Sequence, residues 1–179
     1  MTLWTGSFET PIGRLSLVVD GAGALKILHF GRLEQPDLRP DDTAVAPARD
    51  QIEAYFAGER RDFDLPLAPE GTAFQRAVWD GLLTIPFGRT LSYGELAAQV
   101  GRAGAFRAVG AANGANPIAL VIPCHRVIGR DRSLTGYGGG IAVKAALLAH
   151  EGVLAPDRVP AAMARTRIES ARIENTLPL

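Results

Sequence analysis

The segment Ile122-Pro123-Cys124-His125-Arg126-Val127 contains the only cysteine of this 179-residue chain. A thiol is a strong nucleophile only as the thiolate, and neighbouring cations such as protonated histidine and arginine favour that form. His125 and Arg126 follow the sulfur directly, whereas a structural cysteine is expected among apolar neighbours. The segment therefore predicts a reactive cysteine at position 124.

The absence of a second cysteine limits what that thiol can do. The chain has no disulfide framework, no resolving thiol of its own and no Cys-x-x-Cys metal site. A group that is transferred to Cys124 must therefore be hydrolysed, passed to another molecule or retained.

The overall composition, 47% hydrophobic and 21% charged, is typical of a globular protein with one ordinary domain or two small ones. The first residues lack the basic and apolar regions of a signal peptide, and the longest apolar runs are too short to span a bilayer. We therefore expect a cytoplasmic, nucleoid-associated protein with no membrane partner.

The formal net charge of zero conceals two halves of opposite sign. Residues 1–70 carry 7 basic and 12 acidic side chains, whereas residues 86–150, which include Cys124, carry 7 basic and 2 acidic ones. Arginine supplies 17 of the 19 cations, which suits contacts with phosphates. The asymmetry alone leaves open whether the basic half binds nucleic acid or is a solvated surface.

The N-terminal part of the chain predicts a small sheet followed by one helix. Residues 1–30 are expected to form strands, because residues 13–20 and 24–30 alternate in polarity around a turn. Residues 31–43, rich in proline and aspartate, are expected to form a loop, and helical spacing predicts a helix over residues 44–58. Residues 62–71, with two prolines, are expected to connect two domains.

The C-terminal part predicts helices with recognisable starts. Thr72-Ala73-Phe74-Gln75 and Ser92-Tyr93-Gly94-Glu95 are capping boxes, which begin one helix that ends before Pro86 and another that reaches Val100. A third helix is expected over residues 104–113 and a last one over residues 141–151. The second and third helices, joined by a glycine turn, form a helix-turn-helix pattern, although any pair of short antiparallel helices has the same pattern.

Further motifs occur in a fixed order around Cys124. They are Gly71-Thr72-Ala73-Phe74-Gln75, Val78-Trp79, Ile85-Pro86-Phe87-Gly88, Ser92-Tyr93-Gly94, Arg107-Ala108-Val109-Gly110, Asn116-Pro117 and Leu134-Thr135-Gly136-Tyr137-Gly138-Gly139-Gly140. Together with Pro123-Cys124-His125-Arg126-Val127, this series resembles the O6-alkylguanine-DNA alkyltransferases. The likeness is dense over residues 71–151, is only a compatible pattern over residues 1–70, and does not cover the tail after Gly152.

The resemblance implies irreversible transfer of an alkyl group from O6 of guanine to Cys124, with the guanine as leaving group. His125 then deprotonates the thiol through a water molecule, and Glu151 orients His125. Adjacent side chains on extended backbone point to opposite faces, so a direct bond between Cys124 and His125 would need a special turn. Tyr93 is the expected proton donor to the departing guanine, and Asn116 is expected to brace the turn beneath the active site.

The resemblance also implies a set of substrate and DNA contacts. Arg107 is expected to enter the base stack where the damaged nucleotide is flipped out. Arg126, Tyr137 and Gly139 correspond to positions that shape the active-site turn and the wall of the substrate pocket. Further substrate or DNA contacts are expected from Ser92, Gly94, Arg102 and Arg130.

The expected partner is double-stranded DNA that contains O6-alkylguanine, and the free protein is expected to be monomeric and to need no cofactor. No metal site is expected, because the zinc site of some animal relatives uses N-terminal cysteines that this chain lacks. Whether O4-alkylthymine is also a substrate stays open. The carboxylate of Glu151 is expected at a helix C-terminus, where the helix dipole disfavours it unless it has a cationic partner.

The expected fold class is α/β in two domains. Residues 1–70 form a small ribonuclease-H-like α/β domain with its connecting loop, and residues 71–152 form a mostly helical domain with the helix-turn-helix. Residues 153–179 form a tail to which the sequence assigns no role.

Three other functions share part of this pattern. Alkyltransferase-like proteins bind alkylated DNA without transfer and replace the acceptor cysteine, typically with tryptophan, so Cys124 argues against a binding-only module. A cysteine hydrolase usually brings its histidine from a distant segment and has an oxyanion glycine arrangement before the cysteine. In this chain the histidine follows the cysteine directly and no such glycine arrangement precedes it, so a hydrolase is disfavoured. A helix-turn-helix regulator fused to a metal sensor would need zinc-binding cysteines that are absent.

Overall fold

The computed structural model describes residues 2–155 of the chain. The N-terminal part is a four-stranded sheet whose strand order is β3-β2-β1-β4. Its strands are β1 (Leu3–Thr10), β2 (Gly13–Asp20), β3 (Leu25–Phe30) and β4 (Leu38–Pro40). The first three strands pair antiparallel and β4 pairs parallel to β1. The expected loop over residues 31–43 therefore contains a short edge strand, because the backbone of Leu38 pairs with distant Leu3.

The helix α1 (Asp42–Phe56) packs against strands β1 and β2. It begins two residues before the predicted start, because the Asp41 side chain accepts hydrogen bonds from the amides of Thr43 and Ala44 and caps the first turn. Ile52 and Tyr55 are fully buried on its inner face. This helix carries Tyr55 toward the C-terminal part of the molecule.

Strand β3 lies at one edge of the sheet, and two segments from outside the sheet hydrogen-bond to that edge. The Leu25 amide donates to Pro66 O at 2.8 Å, and the Ala68 amide donates back to Leu25 O at 2.9 Å, so the expected connecting segment pairs with the sheet edge. The Leu28 amide donates to Pro117 O at 2.9 Å. Strand β3 therefore lies directly beside the segment that leads to Cys124.

Among the described residues, the C-terminal part contains four α-helices: α2 (Ala73–Leu83), α3 (Tyr93–Gln99), α4 (Phe106–Gly114) and α5 (Ile141–His150). Both predicted capping boxes are present, at Thr72 with Gln75 and at Ser92 with Glu95. Trp79 of α2 is buried, and its indole Nε1 donates to Ala112 O of α4 at 2.8 Å. This bond fixes α4 against α2.

Two short elements around the cysteine were not predicted. Residues Cys124–Arg126 form a single 3₁₀ turn, and β5 (Leu91–Ser92) pairs parallel with β6 (Val127–Ile128). The pairing joins the start of α3 to the residues directly after the cysteine. Both elements depend on contacts between distant segments, which local sequence patterns do not reveal.

The architecture confirms the predicted α/β class, with an N-terminal sheet and a mostly helical C-terminal part. None of the helices within residues 2–155 is long and apolar enough to cross a membrane. Most of the expected tail, residues 156–179, lies outside the described residues.

Candidate active site

The backbone before the cysteine is folded into a tight turn. Leu120 has a φ of 71°, which side-chain-bearing residues rarely adopt, and the Ile122 amide donates to Ile118 O at 2.9 Å. Asn116 braces this turn from both sides. Its Oδ1 accepts from the Ile118 amide at 3.0 Å and its Nδ2 donates to Ile122 O at 2.8 Å. The Asn116 side chain therefore compensates for the strained backbone that presents Cys124.

The 3₁₀ turn sends the three side chains of Cys124, His125 and Arg126 in different directions, because such a helix has three residues per turn. The Cys124 and His125 side chains share no direct hydrogen bond, although the two residues are adjacent along the chain. His125 and Arg126 both turn toward Glu151 instead.

His125 and Glu151 form a pair that is completely buried. The His125 Nε2 lies 2.8 Å from Glu151 Oε1, and neither side chain has any exposed surface. Burial lowers the pKa of His125, while the hydrogen bond and the charge of Glu151 oppose that shift. The imidazole is therefore neutral near pH 7, with Nε2–H donating to the carboxylate.

The other imidazole nitrogen of His125, Nδ1, is buried and has no hydrogen-bond partner within the part of the chain that the structure describes. A neutral imidazole that donates from Nε2 has a free lone pair on Nδ1. His125 is therefore equipped to accept a proton at Nδ1.

Arg126 is the main counter-charge of Glu151. Its Nε and Nη2 each donate to the carboxylate at 2.9 Å, and its Nη1 donates to Ile85 O at 2.6 Å. The guanidinium of Arg126, an expected substrate or DNA contact, is buried and bonded on both sides in this structure. Arg126 instead holds the carboxylate that contacts His125.

Glu151 ends α5 and is buried, so the helix dipole and the loss of water both disfavour its charge. The hydrogen bonds and charges of His125 and Arg126 outweigh that burial and lower the pKa of Glu151 to about 2. The Gly88 amide donates a further hydrogen bond at 3.2 Å and Tyr55 Oη another at 2.9 Å. The carboxylate therefore stays ionised at neutral pH.

Cys124 opens onto a cavity of about 120 Å³ between the N-terminal sheet and the C-terminal helices. The cavity is lined by residues from β3, from the end of α4 and from the glycine-rich loop, residues 134–140. They include Phe30, Asn113, Asn116 and Tyr137. The buried Oδ1 of Asn113 and the buried hydroxyl of Tyr137 have no hydrogen-bond partner among residues 2–155. The cavity thus combines a nucleophile with unpaired polar groups, as a ligand pocket does.

The Cys124 thiol is itself nearly buried, with 5% of its surface exposed. Burial raises the pKa of Cys124, although a hydrogen bond from Asn116 and the charge of Lys144 both act in the opposite direction. The cysteine is therefore a thiol at neutral pH, and it needs a base at the moment of reaction.

Lys144 was not identified from the sequence. It is fully buried on α5, where its Nζ donates to Val127 O at 2.6 Å and to Thr135 O at 2.7 Å. Burial lowers the pKa of Lys144 to about 8, and the charge of Cys124 acts against that shift. Within residues 2–155 no carboxylate lies within 4.0 Å of this ammonium group. A lysine in the apolar sequence Ile141–His150 is the signal that could have revealed it.

The predicted proton donor and the predicted finger residue lie on the paired helices. Tyr93 begins α3, its hydroxyl accepts from Thr135 Oγ1 at 3.4 Å, and its ring packs beside Gly110 of α4. Arg107 is the second residue of α4 and is exposed, with its guanidinium 5.9 Å from the Phe106 ring. Neither side chain makes a hydrogen bond to Cys124 in this structure.

The remaining expected site residues lie around the pocket and on the surface. Gly139 sits against the Phe30 ring, where a Cβ atom would come within 3.2 Å. Ser92 caps α3, and Ser92, Gly94 and Arg130 line one open groove. Arg102 is exposed in the turn between α3 and α4.

Comparison with known proteins gives the same family for both parts of the chain. The ribonuclease-like domain of 6-O-methylguanine DNA methyltransferase matches residues 3–69, and the DNA-binding domain of the same family matches residues 73–153. The chain is 50% identical over 153 residues to the methylated-DNA–protein-cysteine methyltransferase of Mycobacterium bovis, across 84% of this chain and 93% of that protein. The corresponding protein of Methanosarcina acetivorans is 49% identical over 150 residues, across 81% of this chain and 96% of that protein.

Solved structures agree with the sequence relatives. The crystal structure of Mycobacterium tuberculosis OGT in complex with DNA superposes with a TM-score of 0.78 at 50% identity, covering 83% of this chain and 92% of that one. The O6-methylguanine-DNA methyltransferase of Pyrococcus kodakaraensis gives a TM-score of 0.58 at 25% identity, covering 84% and 99% of the two chains.

Proposed function

Because this chain belongs to the 6-O-methylguanine DNA methyltransferase family, we propose that it repairs alkylated DNA by moving an alkyl group from guanine O6 to its own Cys124. In this reaction the S–C bond forms as the O6–C bond breaks. The thiol proton passes to His125, and the departing guanine takes a proton from Tyr93. The alkylated cysteine is a stable thioether, so each molecule acts once.

The observation that carries the proposal is the buried His125–Glu151 pair beside a cysteine that lines a cavity. The nucleophile is a thiol until a base acts on it, and neutral His125 has an unbonded Nδ1 available as that base. Because the Cys124 and His125 side chains share no direct hydrogen bond, the thiol proton reaches His125 through a water molecule. Glu151 stabilises the imidazolium that results, and its low pKa prevents it from taking the proton itself.

Two further groups stabilise the developing thiolate. The Asn116 amide favours the charged form of the sulfur, and the Lys144 ammonium supplies a positive charge within a dry interior. Such fixed groups act strongly where water is excluded, because they need not reorganise during the reaction. Lys144 also ties the backbone after the cysteine to the glycine-rich loop, which keeps the pocket wall in place.

The DNA partner is expected on the surface that carries α3 and α4. Arg126 and Lys144 are buried, so the exposed cations of the basic half are Arg89, Arg102, Arg107, Arg130 and Arg132. Guanine O6 is inaccessible inside a duplex, so the nucleotide must rotate into the pocket at a cost of a few kcal/mol. Arg107 fills the vacated stack, and the small residues that follow it on α4 allow close approach to the minor groove.

Some finer assignments belong to the same proposal. The substrate is O6-alkylguanine in duplex DNA. The protein acts as a monomer in the cytoplasm, associated with the nucleoid. Residues 1–70 and 71–152 act as its two domains, the first supporting the active site and the second carrying it.

Intact-mass spectrometry tests this function directly. After incubation with an oligonucleotide that contains O6-methylguanine, each protein molecule should carry one added methyl group on Cys124, with one repaired guanine per protein. Cys124→Ser should bind the oligonucleotide without gaining mass. Sustained turnover with excess substrate would contradict the proposal. Binding without any mass increase in the unmodified protein would instead indicate a non-catalytic, alkyltransferase-like module.

A further inference from the structure

One side chain of the N-terminal part reaches the catalytic carboxylate. Tyr55, near the end of α1, is 96 residues from Glu151 in sequence, and its hydroxyl donates a 2.9 Å hydrogen bond to Glu151 Oε1. Tyr55 is completely buried. The same carboxylate oxygen lies 2.8 Å from His125 Nε2, so one oxygen atom joins the N-terminal helix to the catalytic histidine.

The position of the Tyr55 ring is fixed on several sides. Its backbone carbonyl accepts a 2.8 Å hydrogen bond from His150 Nε2, so Tyr55 contacts both of the residues that end α5. Its ring packs against His150 at 4.7 Å, Phe63 at 5.5 Å and Phe87 at 6.0 Å between ring centroids. A hydroxyl held by such a cluster can fix the orientation of a carboxylate, because the ring has little freedom to follow it.

We propose that Tyr55 is a positioning residue for alkyl transfer, through which the N-terminal helix holds the Glu151 carboxylate in the orientation that His125 requires. The inference rests on the proposed function, because it assigns a role within that same site. Tyr55 touches neither the cysteine nor the alkyl group, and it acts only through Glu151.

The carboxylate needs a third partner because Arg126 competes with His125 for it. Arg126 Nη2 donates to Oε1 at 2.9 Å and Arg126 Nε lies between both oxygens, at 2.9 and 3.2 Å. A strong two-pronged contact of this kind, with the Gly88 amide on Oε2, would otherwise dominate the carboxylate orientation. The Tyr55 hydroxyl opposes it from the side of α1. Burial raises the pKa of Tyr55 far above its ordinary value, so its hydroxyl stays protonated and donates at neutral pH.

Loss of the hydroxyl should also change the proton affinity of His125. The charged groups that act on His125 are Glu151, which raises its pKa, and Arg126 and Lys144, which lower it, while Tyr137 faces its ring at 6.4 Å between centroids. The Tyr55 hydroxyl draws negative charge from Oε1 and so weakens the effect of Glu151. Without the Tyr55 hydroxyl the pKa of His125 rises. The acid limb of the pH–rate profile, where the transfer rate falls as His125 becomes protonated, then moves to higher pH.

The test uses the full-length protein, O6-benzylguanine and an oligonucleotide with O6-methylguanine. Tyr55→Phe keeps the ring and removes the hydroxyl, and it should slow transfer about three- to ten-fold with both substrates. The acid limb should move to higher pH, and the DNA concentration for half-maximal rate should stay unchanged. Phe63→Leu is the matched control, because it loosens the same cluster without removing a hydrogen bond to Glu151. It should lower thermal stability but leave the acid limb in place.

Combining the Tyr55 and Glu151 variants distinguishes a positioning role of Tyr55 from a general effect on packing. In a Glu151→Gln background, Tyr55→Phe should cause little additional loss of rate, because the carboxylate on which it acts is gone. If Tyr55→Phe does not fold, site-specific 3-fluorotyrosine at position 55 keeps the shape and donates more strongly, and it should move the acid limb to lower pH. An unmoved acid limb, or full additivity with Glu151→Gln, would overturn the inference.

The outcomes also distinguish this inference from the proposed function. If Tyr55→Phe behaves like the unmodified protein while His125→Ala loses transfer, the function stands and only the role of Tyr55 is wrong. If the unmodified protein gains no methyl group, the proposed function itself fails.

Discussion

The Nε2 atom of His125 lies 2.8 Å from Oε1 of Glu151, although the two residues are 26 positions apart and neither side chain reaches solvent. A buried neutral imidazole held in one tautomer by a carboxylate is suited to accept a proton from a nucleophile. The pH dependence of the reaction should therefore report on this pair.

Burial lowers the pKa of His125 from its ordinary 6.5, so the imidazole should remain neutral at and below that pH. The transfer rate should stay constant from about pH 7 down to 6.5 and fall only at lower pH, where His125 becomes protonated. Rates with O6-benzylguanine between about pH 5 and pH 9 would measure this. An acid limb centred at or above 6.5 would contradict the assignment.

The matched variant for that experiment is His125→Ala. It should transfer slowly and regain rate as the pH rises, because burial raises the pKa of Cys124 and hydroxide must then generate the thiolate. A pH-independent rate in His125→Ala would indicate that His125 does not act on the thiol.

Lys144 should make stability depend on alkaline pH. Its folded-state pKa of about 8 lies below the ordinary 10.5, so between these values the unfolded chain holds a proton that the folded chain has released. The free energy of unfolding of the unmodified protein, relative to Lys144→Met, should therefore rise as the pH increases from about 8 to about 10.5. Urea unfolding of both proteins at several pH values would measure the difference.

Lys144→Met should also slow transfer about ten-fold, because the thiolate loses its nearby cation. Lys26→Met is the control, since Lys26 is the other lysine and pairs with Glu70 at the surface of the N-terminal part. Lys26→Met should change neither the transfer rate nor the rise in the free energy of unfolding at alkaline pH. A Lys144→Met protein with full activity would exclude an electrostatic role for Lys144.

Removing the brace at Asn116 should impair both stability and transfer. Asn116→Ala breaks two hydrogen bonds to the turn that contains Leu120, so a destabilisation of about 2 kcal/mol and a slower transfer are expected. Thermal unfolding and single-turnover rates would test this. Gln51→Ala is the comparison, because Gln51 makes two analogous bonds to the Asp64 backbone far from the cysteine. Equal transfer rates in the two variants would contradict the role of Asn116.

Arg107→Ala should separate nucleotide flipping from chemistry. It should slow repair of duplex DNA yet hardly affect free O6-benzylguanine, because the free base needs no flipping. Tyr93→Phe should slow both substrates, since it removes the proton donor to the leaving group. Rates of each variant with each substrate decide the matter. If Arg107→Ala damages both reactions equally, Arg107 belongs to the pocket or to the fold.

Binding to duplex DNA should weaken steeply with salt, since each neutralised phosphate releases counterions. The measurement uses Cys124→Ser, which cannot react. Adding Arg130→Ala should reduce the slope of log affinity against log salt by about 1. Arg14→Ala, which removes an arginine paired with Glu9 in the acidic half, should leave that slope unchanged. Equal affinity at low and high salt would indicate a different binding surface.

Local sequence signals were sufficient to predict where most of the described helices lie. The capping boxes at Thr72 and Ser92 lie where the sequence predicted them, because a cap involves residues only three positions apart. The start of α1 was wrong by two residues because Asp41, not the first apolar residue, caps it. Strand β4 was missed because three residues pair only when β1 is already in place.

The sequence by itself determined that a histidine and an arginine follow Cys124 and that the chain resembles the alkyltransferases, since both depend on residues adjacent along the chain. Only the tertiary structure decided that Arg126 holds Glu151 and that Lys144 lies buried without a carboxylate partner among residues 2–155. It also brought Tyr55 to Glu151 across 96 positions. Charge type and periodicity can be read locally, but the choice of partner for a buried charge depends on which distant segments exclude water around it.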